Sequence, residues 1–332
     1  MLDTFRALVV NKTEEEFSLN IENLKLSDLP NGDVTIKVAY SSVNYKDGLA
    51  SIPNGKIVQS YPFVPGIDLA GIVVSSNDNR FNKGDEVIVT SYELGVSHYG
   101  GYSEYACVPA NWVVPLPNGL SLKDAMAVGT AGFTAALSIH HLEQKGLTPE
   151  DGAVIVTGAT GGVGSMAVMM LADKGYEVWA STGKENEHDF LKRLGATEVL
   201  SREDVTPEKL PALGKQRWAG AVDPVGGNTL AALASQMKYG GSVAVSGLTG
   251  GVKVPTSIFP FILRAVNILG VDSVYCPMDL RAQIWQQVAQ NINRQLIENE
   301  IINEISLNEL PHTLTTILKG EVRGRTVVRI QD

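Results

Sequence analysis

Cysteine is nearly absent: Cys107 and Cys276 are the only two in 332 residues. Thiols so few and so far apart build no disulfide framework, which points to a reducing compartment. They also exclude an all-cysteine zinc site, which takes about four thiolates. Histidine does not fill the gap. His98, His140, His141, His188 and His312 form no H-E-x-x-H pattern and no close Cys/His cluster, whereas a catalytic zinc takes about three protein ligands. The chain is therefore expected to hold no metal.

Positive charge is also scarce. Lys and Arg number 27 against 36 Asp and Glu, a net charge of −9 with no long basic block. Such a chain is a poor nucleic-acid partner and gains no long-range attraction for an anionic ligand. Any phosphate must be held by a local site. No stretch reaches the roughly 18 unbroken apolar residues of a membrane span. The apolar segment Ala125–Ile139 carries Gly and Thr and reads as a buried helix. The opening MLDTFRALVV, followed by Glu14, Glu15 and Glu16, lacks the layout of a secretory leader. These absences predict a cytoplasmic chain with neither a nucleic-acid nor a membrane partner.

Glycine, in contrast, is plentiful at 33 residues, a sign of many turns and close backbone approaches. The length suggests two domains. Up to about residue 115, short β-rich runs such as Ala7–Val10, Val34–Tyr40, Leu69–Val74, Glu86–Thr90 and Tyr102–Val108 are separated by turn clusters. Near Leu122 the texture changes. Leu122–Glu143 reads as helix, and strand-like and helix-like segments then alternate: Ala153–Thr157, Val163–Lys174, Glu177–Ser181, His188–Leu194, Ala219–Asp223, Ser242–Ser246 and Asn267–Val271. Alternation of this kind predicts a parallel sheet covered on both faces. Helical patterns follow at Leu280–Ile297 and Leu310–Lys319, with a last strand at Arg325–Ile330. The expected fold class is α/β, with a β-rich first part at 1–122, a nucleotide-binding domain at 123–272 and a tail at 273–332 that returns to the first part.

The strongest local signal is Val154-Ile155-Val156-Thr157-Gly158-Ala159-Thr160-Gly161-Gly162-Val163-Gly164-Ser165. An apolar strand enters a Gly-rich turn that opens a helix, the context of a dinucleotide fingerprint. Thr160, Gly161, Gly162 and Val163 would bring backbone to a pyrophosphate, and Gly164 would let the helix pack on the strand. Ala159 stands at the first Gly position of G-x-G-x-x-G. NAD enzymes place Asp or Glu at the tip of the second strand. Here that tip is Ser181-Thr182-Gly183-Lys184, with no carboxylate, and Arg202 follows the next strand-like run. Hydroxyls and cations suit a 2′-phosphate, so NADPH is the expected cofactor. The competing reading leaves Lys184 and Arg202 as solvated surface charges.

Several stretches together carry a family resemblance: Ser42-Val43-Asn44-Tyr45-Lys46-Asp47, Pro65-Gly66-Ile67-Asp68-Leu69-Ala70-Gly71, Gly129-Thr130-Ala131-Gly132-Phe133-Thr134-Ala135, the Gly161–Gly164 loop, Pro260–Arg264, Gly270–Val274 and Gly324–Val328. In this order the chain resembles the zinc-independent, quinone oxidoreductase-like branch of the medium-chain dehydrogenase/reductase superfamily. Within that branch it resembles the acryloyl-CoA reductase group of the YhdH/YhfP type. Zinc-dependent relatives carry Gly-His-Glu where this chain has Gly66-Ile67-Asp68, and Tyr92–Gly101 is too short for their four-cysteine lobe. The resemblance implies a GroES-like, partly open β-barrel domain, a Rossmann domain with the cofactor in the cleft beside it, and a homodimer formed through the strand near Asn267–Val271. It also implies NADPH-dependent reduction of a small-molecule conjugated acceptor, an enoyl thioester, enone or quinone.

Hydride addition to such an acceptor puts negative charge on a carbonyl oxygen, which hydrogen-bond donors stabilise. Asn44, Tyr45 and Asp47 are the catalytic candidates. By resemblance Tyr45 lies against the nicotinamide, with Asn44 and Asp47 lining the pocket. Asn44 or Tyr45 would meet the oxyanion, and Asp47 would order the pocket or relay a proton. The alternative is a plain turn with a Lys46–Asp47 surface pair. The Thr130 hydroxyl suits the nicotinamide carboxamide, or simply a helix start. Leu248 and Ile262 resemble residues that flank the nicotinamide, and would otherwise be core. Ser273 would bond in the same cleft or end a strand. Arg264 and Arg323 are candidate contacts for a CoA phosphate, and Cys107 is expected to be buried. An alternative of another class is a non-catalytic NADPH-binding sensor or crystallin-like protein.

Overall fold

The computed structural model describes residues 4–14 and 16–331. The chain divides into two compact units. Unit 1 comprises Met1–Thr130, Val274–Gln290 and Ile302–Asp332; unit 2 comprises Ala131–Ser273 and Asn291–Ile301.

Unit 1 is built on β structure. Strands β1 (Thr4–Lys12) and β2 (Phe17–Lys25) form an antiparallel hairpin, followed by β3 (Val34–Val43), β4 (Asp68–Ser76), β5 (Glu86–Thr90), β6 (Tyr105–Val108) and β7 (Val113–Pro115). Helix α1 (Tyr45–Ala50) leaves β3 directly. The strands read from sequence are present; those at Ala7–Val10, Val34–Tyr40 and Leu69–Val74 extend further, while Tyr102–Val108 is strand only over Tyr105–Val108. The segment Asn44–Asp47, which has turn chemistry, opens a short helix. Gly48 is central to it: a Cβ there would stand 2.8 Å from Ile317 Cγ2, so its absence lets helix Leu310–Leu318 pack onto α1.

Unit 2 holds β8 (Val154–Val156), β9 (Val178–Ser181), β10 (Glu198–Leu200), β11 (Trp218–Asp223), β12 (Met237–Val245) and β13 (Asn267–Gly270). They form one parallel sheet in the order β10-β9-β8-β11-β12-β13. Numbered from its own first strand this is 3-2-1-4-5-6, the Rossmann order, with its switch point between β8 and β11. Those central strands are buried throughout and, apart from Gly220 and Asp223, consist of Val, Ile, Ala and Trp, as a sheet covered on both faces requires.

The chain then returns to unit 1 with β14 (Ile302–Ser306) and β15 (Arg325–Arg329), which complete a seven-stranded sheet ordered β14-β15-β3-β4-β5-β7, with β6 also on β3. The tail is not one block, however. Asn291–Ile301 groups with unit 2, where Arg193 Nε pairs with Glu300 at 2.9 Å. Helix α2 (Leu122–Gln144) is kinked at Gly129, where φ is +51°. Among the described residues no helix is long and apolar enough to cross a membrane.

Candidate active site

In unit 2 the Gly-rich turn has the geometry of a phosphate cradle. Gly158 adopts φ +52°, a left-handed conformation that glycine tolerates without strain. Helix α3 (Gly162–Asp173) starts behind Gly161. A Cβ on Gly164 would stand 2.3 Å from Gly158 O, so only glycine lets α3 press onto the turn. A Cβ on Gly161 would meet nothing closer than Gly158 O at 3.4 Å, leaving its outer side open. The first N–H groups of α3, Gly162 and Val163 among them, have no partner within the helix, and the helix dipole favours an anion there.

The tip of β9 lies beside this turn. Ala159 N–H donates to Ser181 O at 3.0 Å, and the Thr160 and Thr182 hydroxyls are 3.4 Å apart. Thr160, Ser181 and Thr182 are buried and knit the two loops together. Thr182 Oγ1 accepts from Lys184 N–H at 3.1 Å, and Ser181 Oγ donates to Ser201 O at 3.4 Å. Arg202 reaches the same corner: a Cβ on Gly183 would stand 2.6 Å from Arg202 Nε. Leu248 and Ile262 are not core, being 63% and 65% exposed. Ser273 is half-buried just beyond β13, outside any strand. Arg264 is committed to structure: it donates to Ser235 O at 2.9 Å and to Gly214 O at 2.7 Å, which removes it as a phosphate contact.

Sequence reasoning missed Asp223, at the end of β11. Its buried carboxylate accepts from Thr157 Oγ1 at 2.5 Å and from the N–H groups of Val225 and Gly226 at 3.0 and 3.1 Å. It ties the ends of β8 and β11 together across the switch point. Burial raises its pKa against these hydrogen bonds. An acid closing an apolar strand ahead of Pro224-Val225-Gly226-Gly227 was the available signal.

In unit 1 a buried polar cluster gathers around Asp68, the first residue of β4. Asp68 Oδ2 accepts from Ser42 Oγ at 2.6 Å, Asn44 Nδ2 at 2.8 Å and Thr130 N–H at 2.9 Å; Oδ1 accepts from Thr130 Oγ1 at 2.5 Å. Arg325, on β15, is 3.9 Å from Oδ2. Its Nη2 donates to Ser42 Oγ at 2.8 Å, its Nη1 to Asn44 Oδ1 at 3.2 Å and its Nε to Ala127 O at 3.1 Å. Ser91 Oγ lies 3.0 Å from Thr130 Oγ1, held by a backbone turn in which Ser91 and Tyr92 take φ +65° and +51°. Two successive non-glycine residues in that region store strain.

Asp47 turns away from solvent, so the surface pair with Lys46 does not form. Its carboxylate, fully buried, accepts from Asn44 N–H at 2.8 Å and Ile67 N–H at 2.9 Å, with the Tyr102 hydroxyl as a further partner. Burial, then the nearby Asp68 charge, pushes its pKa from 3.8 up to about 7. Tyr45, by contrast, is 47% exposed. Of the catalytic candidates, Asn44 and Asp47 thus lie in or beside the cluster, joined by Thr130, while Asp68, Arg325 and Ser91 were not anticipated. Cys107 is half-buried rather than buried, with Thr35 Oγ1 3.7 Å from its sulfur; Cys276 is the buried thiol.

The chain matches the family described as alcohol dehydrogenase GroES-like domain over residues 30–118 and that described as zinc-binding dehydrogenase over residues 162–293. It is 57% identical over 330 residues to YhfP of Bacillus subtilis (strain 168), a protein classed with the quinone oxidoreductases, covering 99% of this chain and 100% of that one. A structure of that protein with NAD bound superposes with a TM-score of 0.96 at 58% identity, covering 98% of this chain and 99% of that one. Acrylyl-CoA reductase AcuI of Ruegeria pomeroyi is 49% identical over 328 residues, covering 98% and 99% of the two chains. The yhdH oxidoreductase from Salmonella enterica, in complex with NADP, superposes with a TM-score of 0.96 at 45% identity, covering 98% and 100%.

The chain belongs to the medium-chain dehydrogenase/reductase superfamily, with the GroES-like and Rossmann-type domains that define it. Within it, the chain falls in the quinone oxidoreductase-like group of YhfP, YhdH and the acrylyl-CoA reductases.

The zinc named in one family description does not suit these residues. Among the described residues no group of three or more His, Cys, Asp and Glu side chains is arranged to hold a metal ion. Ile67 is apolar and buried, and Asp68 is surrounded by hydrogen-bond donors.

Proposed function

We propose that the chain is an NADPH-dependent reductase of an activated carbon–carbon double bond, in acrylyl-CoA or a similar enoyl thioester or enone, that works without zinc. The full-length likeness to an acrylyl-CoA reductase carries this reading. When bound, NADPH supplies the hydride.

The chain's own residues bind, orient and stabilise. The N–H groups around Gly161, Gly162 and Val163, with Thr160 shaping the turn, hold the pyrophosphate. Gly183 leaves room at the β9 tip, where Lys184 and Arg202 pair with the 2′-phosphate and Ser181 and Thr182 fix the loop. The absence of a carboxylate there supports NADPH over NADH. Thr130, Leu248, Ile262 and Ser273 contact the nicotinamide end. As the β carbon gains hydride, charge moves to the carbonyl oxygen, where Asn44 or Tyr45 donates a hydrogen bond. Asp47 holds that segment by its backbone amides. The enolate then collapses back to the carbonyl as its α carbon takes a proton from water. In solution we propose a homodimer, paired through the outer rim of β13, and a cytoplasmic location, which suits Cys107 and Cys276 standing outside any disulfide.

Quinone reduction is the second reading, favoured by the kinship with YhfP. Steady-state NADPH oxidation with acrylyl-CoA and with a simple quinone separates the two. Faster turnover of acrylyl-CoA, undiminished by a chelator, is expected. Turnover of quinone alone would favour the second reading. Tight NADPH binding without turnover of either would leave a non-catalytic binding protein. Loss of activity on chelation, restored by zinc, would overturn the metal-free mechanism.

A further inference from the structure

We propose that Asp68 and Arg325 are positioning residues that lock the Asn44 side-chain amide, so that one Nδ2–H of Asn44 is the donor to the oxyanion formed during reduction. This inference rests on the reductase reading above and deepens it.

The lock follows from the chemistry of the partners. A guanidinium only donates hydrogen bonds, and a carboxylate only accepts them. Arg325 Nη1 therefore fixes the oxygen end of the amide at 3.2 Å, and Asp68 Oδ2 fixes the nitrogen end at 2.8 Å. Turning the amide over would set donor against donor and acceptor against acceptor. Asp68 and Arg325 are in turn held rigidly. Ser42 donates to Asp68 and accepts from Arg325, and Arg325 also caps the carbonyls of Val43 and Ala127. Both charged groups are at most 2% exposed.

An amide nitrogen carries two hydrogens. Asp68 takes one of those on Asn44, and the other has no partner among the described residues. The neighbouring hydroxyls are turned the wrong way for an oxyanion. Thr130 directs its proton to Asp68 Oδ1, so Ser91, 3.0 Å away, must direct its own to Thr130 Oγ1. Tyr45 carries a phenol but is largely solvent-exposed, and a donor fixed in advance stabilises developing charge better than a mobile one. Asn44, 8% exposed at the head of α1, is both fixed and able to donate.

The test begins with the wild-type enzyme, in NADPH titration and acrylyl-CoA turnover. Absence of turnover there sinks the reductase reading itself. With turnover established, Asn44→Ala should lower kcat by about 10²–10³, the usual loss for one oxyanion donor, while NADPH affinity changes by less than about twofold. Asp68→Asn should lower kcat about tenfold or more with KM nearly unchanged, because the asparagine no longer enforces one amide orientation. The decisive comparison is Asp68→Asn placed in the Asn44→Ala background. If Asp68 acts through Asn44, the second change costs less than about threefold. Fully multiplied losses would overturn the proposal. Should Asp68→Asn fail to fold, Arg325→Lys takes its place. It keeps the charge but not the fork, and the same non-additivity with Asn44→Ala is expected, the same multiplied losses counting against it.

Discussion

Gly129 shows how little latitude single residues have in unit 1. A Cβ there would lie 2.5 Å from Arg325 Nη2 and 2.7 Å from both Asp68 Oδ2 and Ser42 Oγ, on a backbone already at φ +51°. Gly129→Ala should therefore cost both stability and turnover, read as a lower melting temperature together with a lower kcat. An equal melting temperature would contradict the crowding. Asp47 offers a test by pH. Its folded pKa of about 7 lies above the ordinary 3.8, so the folded chain holds a proton that the unfolded chain has released. Its contribution to stability is fully present below about pH 4 and is lost as the pH rises to about 7, at a slope of roughly 1.4 kcal/mol per pH unit. Asp47→Asn should flatten that part of the stability profile in denaturant titrations at several pH values. At the other end of the chemistry, Arg202→Ala or Lys184→Ala should raise the KM for NADPH far more than that for NADH. Equal changes would remove both from the 2′-phosphate.

At the scale of elements, the sequence was most legible where burial was deepest. β8, β9 and β11 are largely apolar runs bounded by turn residues, and the fingerprint between β8 and α3 marks where the strand passes into the helix. Gly164 belongs to this part. Gly164→Val should push α3 off the turn and weaken NADPH binding, measured by fluorescence titration, more than Gly161→Ala, whose Cβ meets nothing nearer in the chain than Gly158 O at 3.4 Å. β2 and β14 were missed because their side chains are mostly half-buried or exposed, which blurs the alternation that marks a strand. Helix Gly227–Gln236 was missed because it begins on Gly226-Gly227 and is rich in small residues. The Asp68 cluster was invisible for a different reason. Ser42, Asp68, Thr130 and Arg325 are far apart in sequence; the pairing of β15 with β3 and of β3 with β4 brings three of them together, and the kinked helix α2 supplies Thr130.

For the molecule as a whole, what the composition leaves open is assembly. Ile268, on the outermost strand of the unit 2 sheet, is 38% exposed in a strand whose exposure alternates. If two copies pair there, Ile268→Glu should shift the protein to monomer in sedimentation experiments; an unchanged mass would point to another interface. The two rims of this sheet are unequal. One ends in the three residues of β10, followed directly by helix Arg202–Val205, while the other ends in β13. If two copies pair through β13 about a two-fold axis, that rim is consumed in both, and the resulting assembly is closed rather than fibrous.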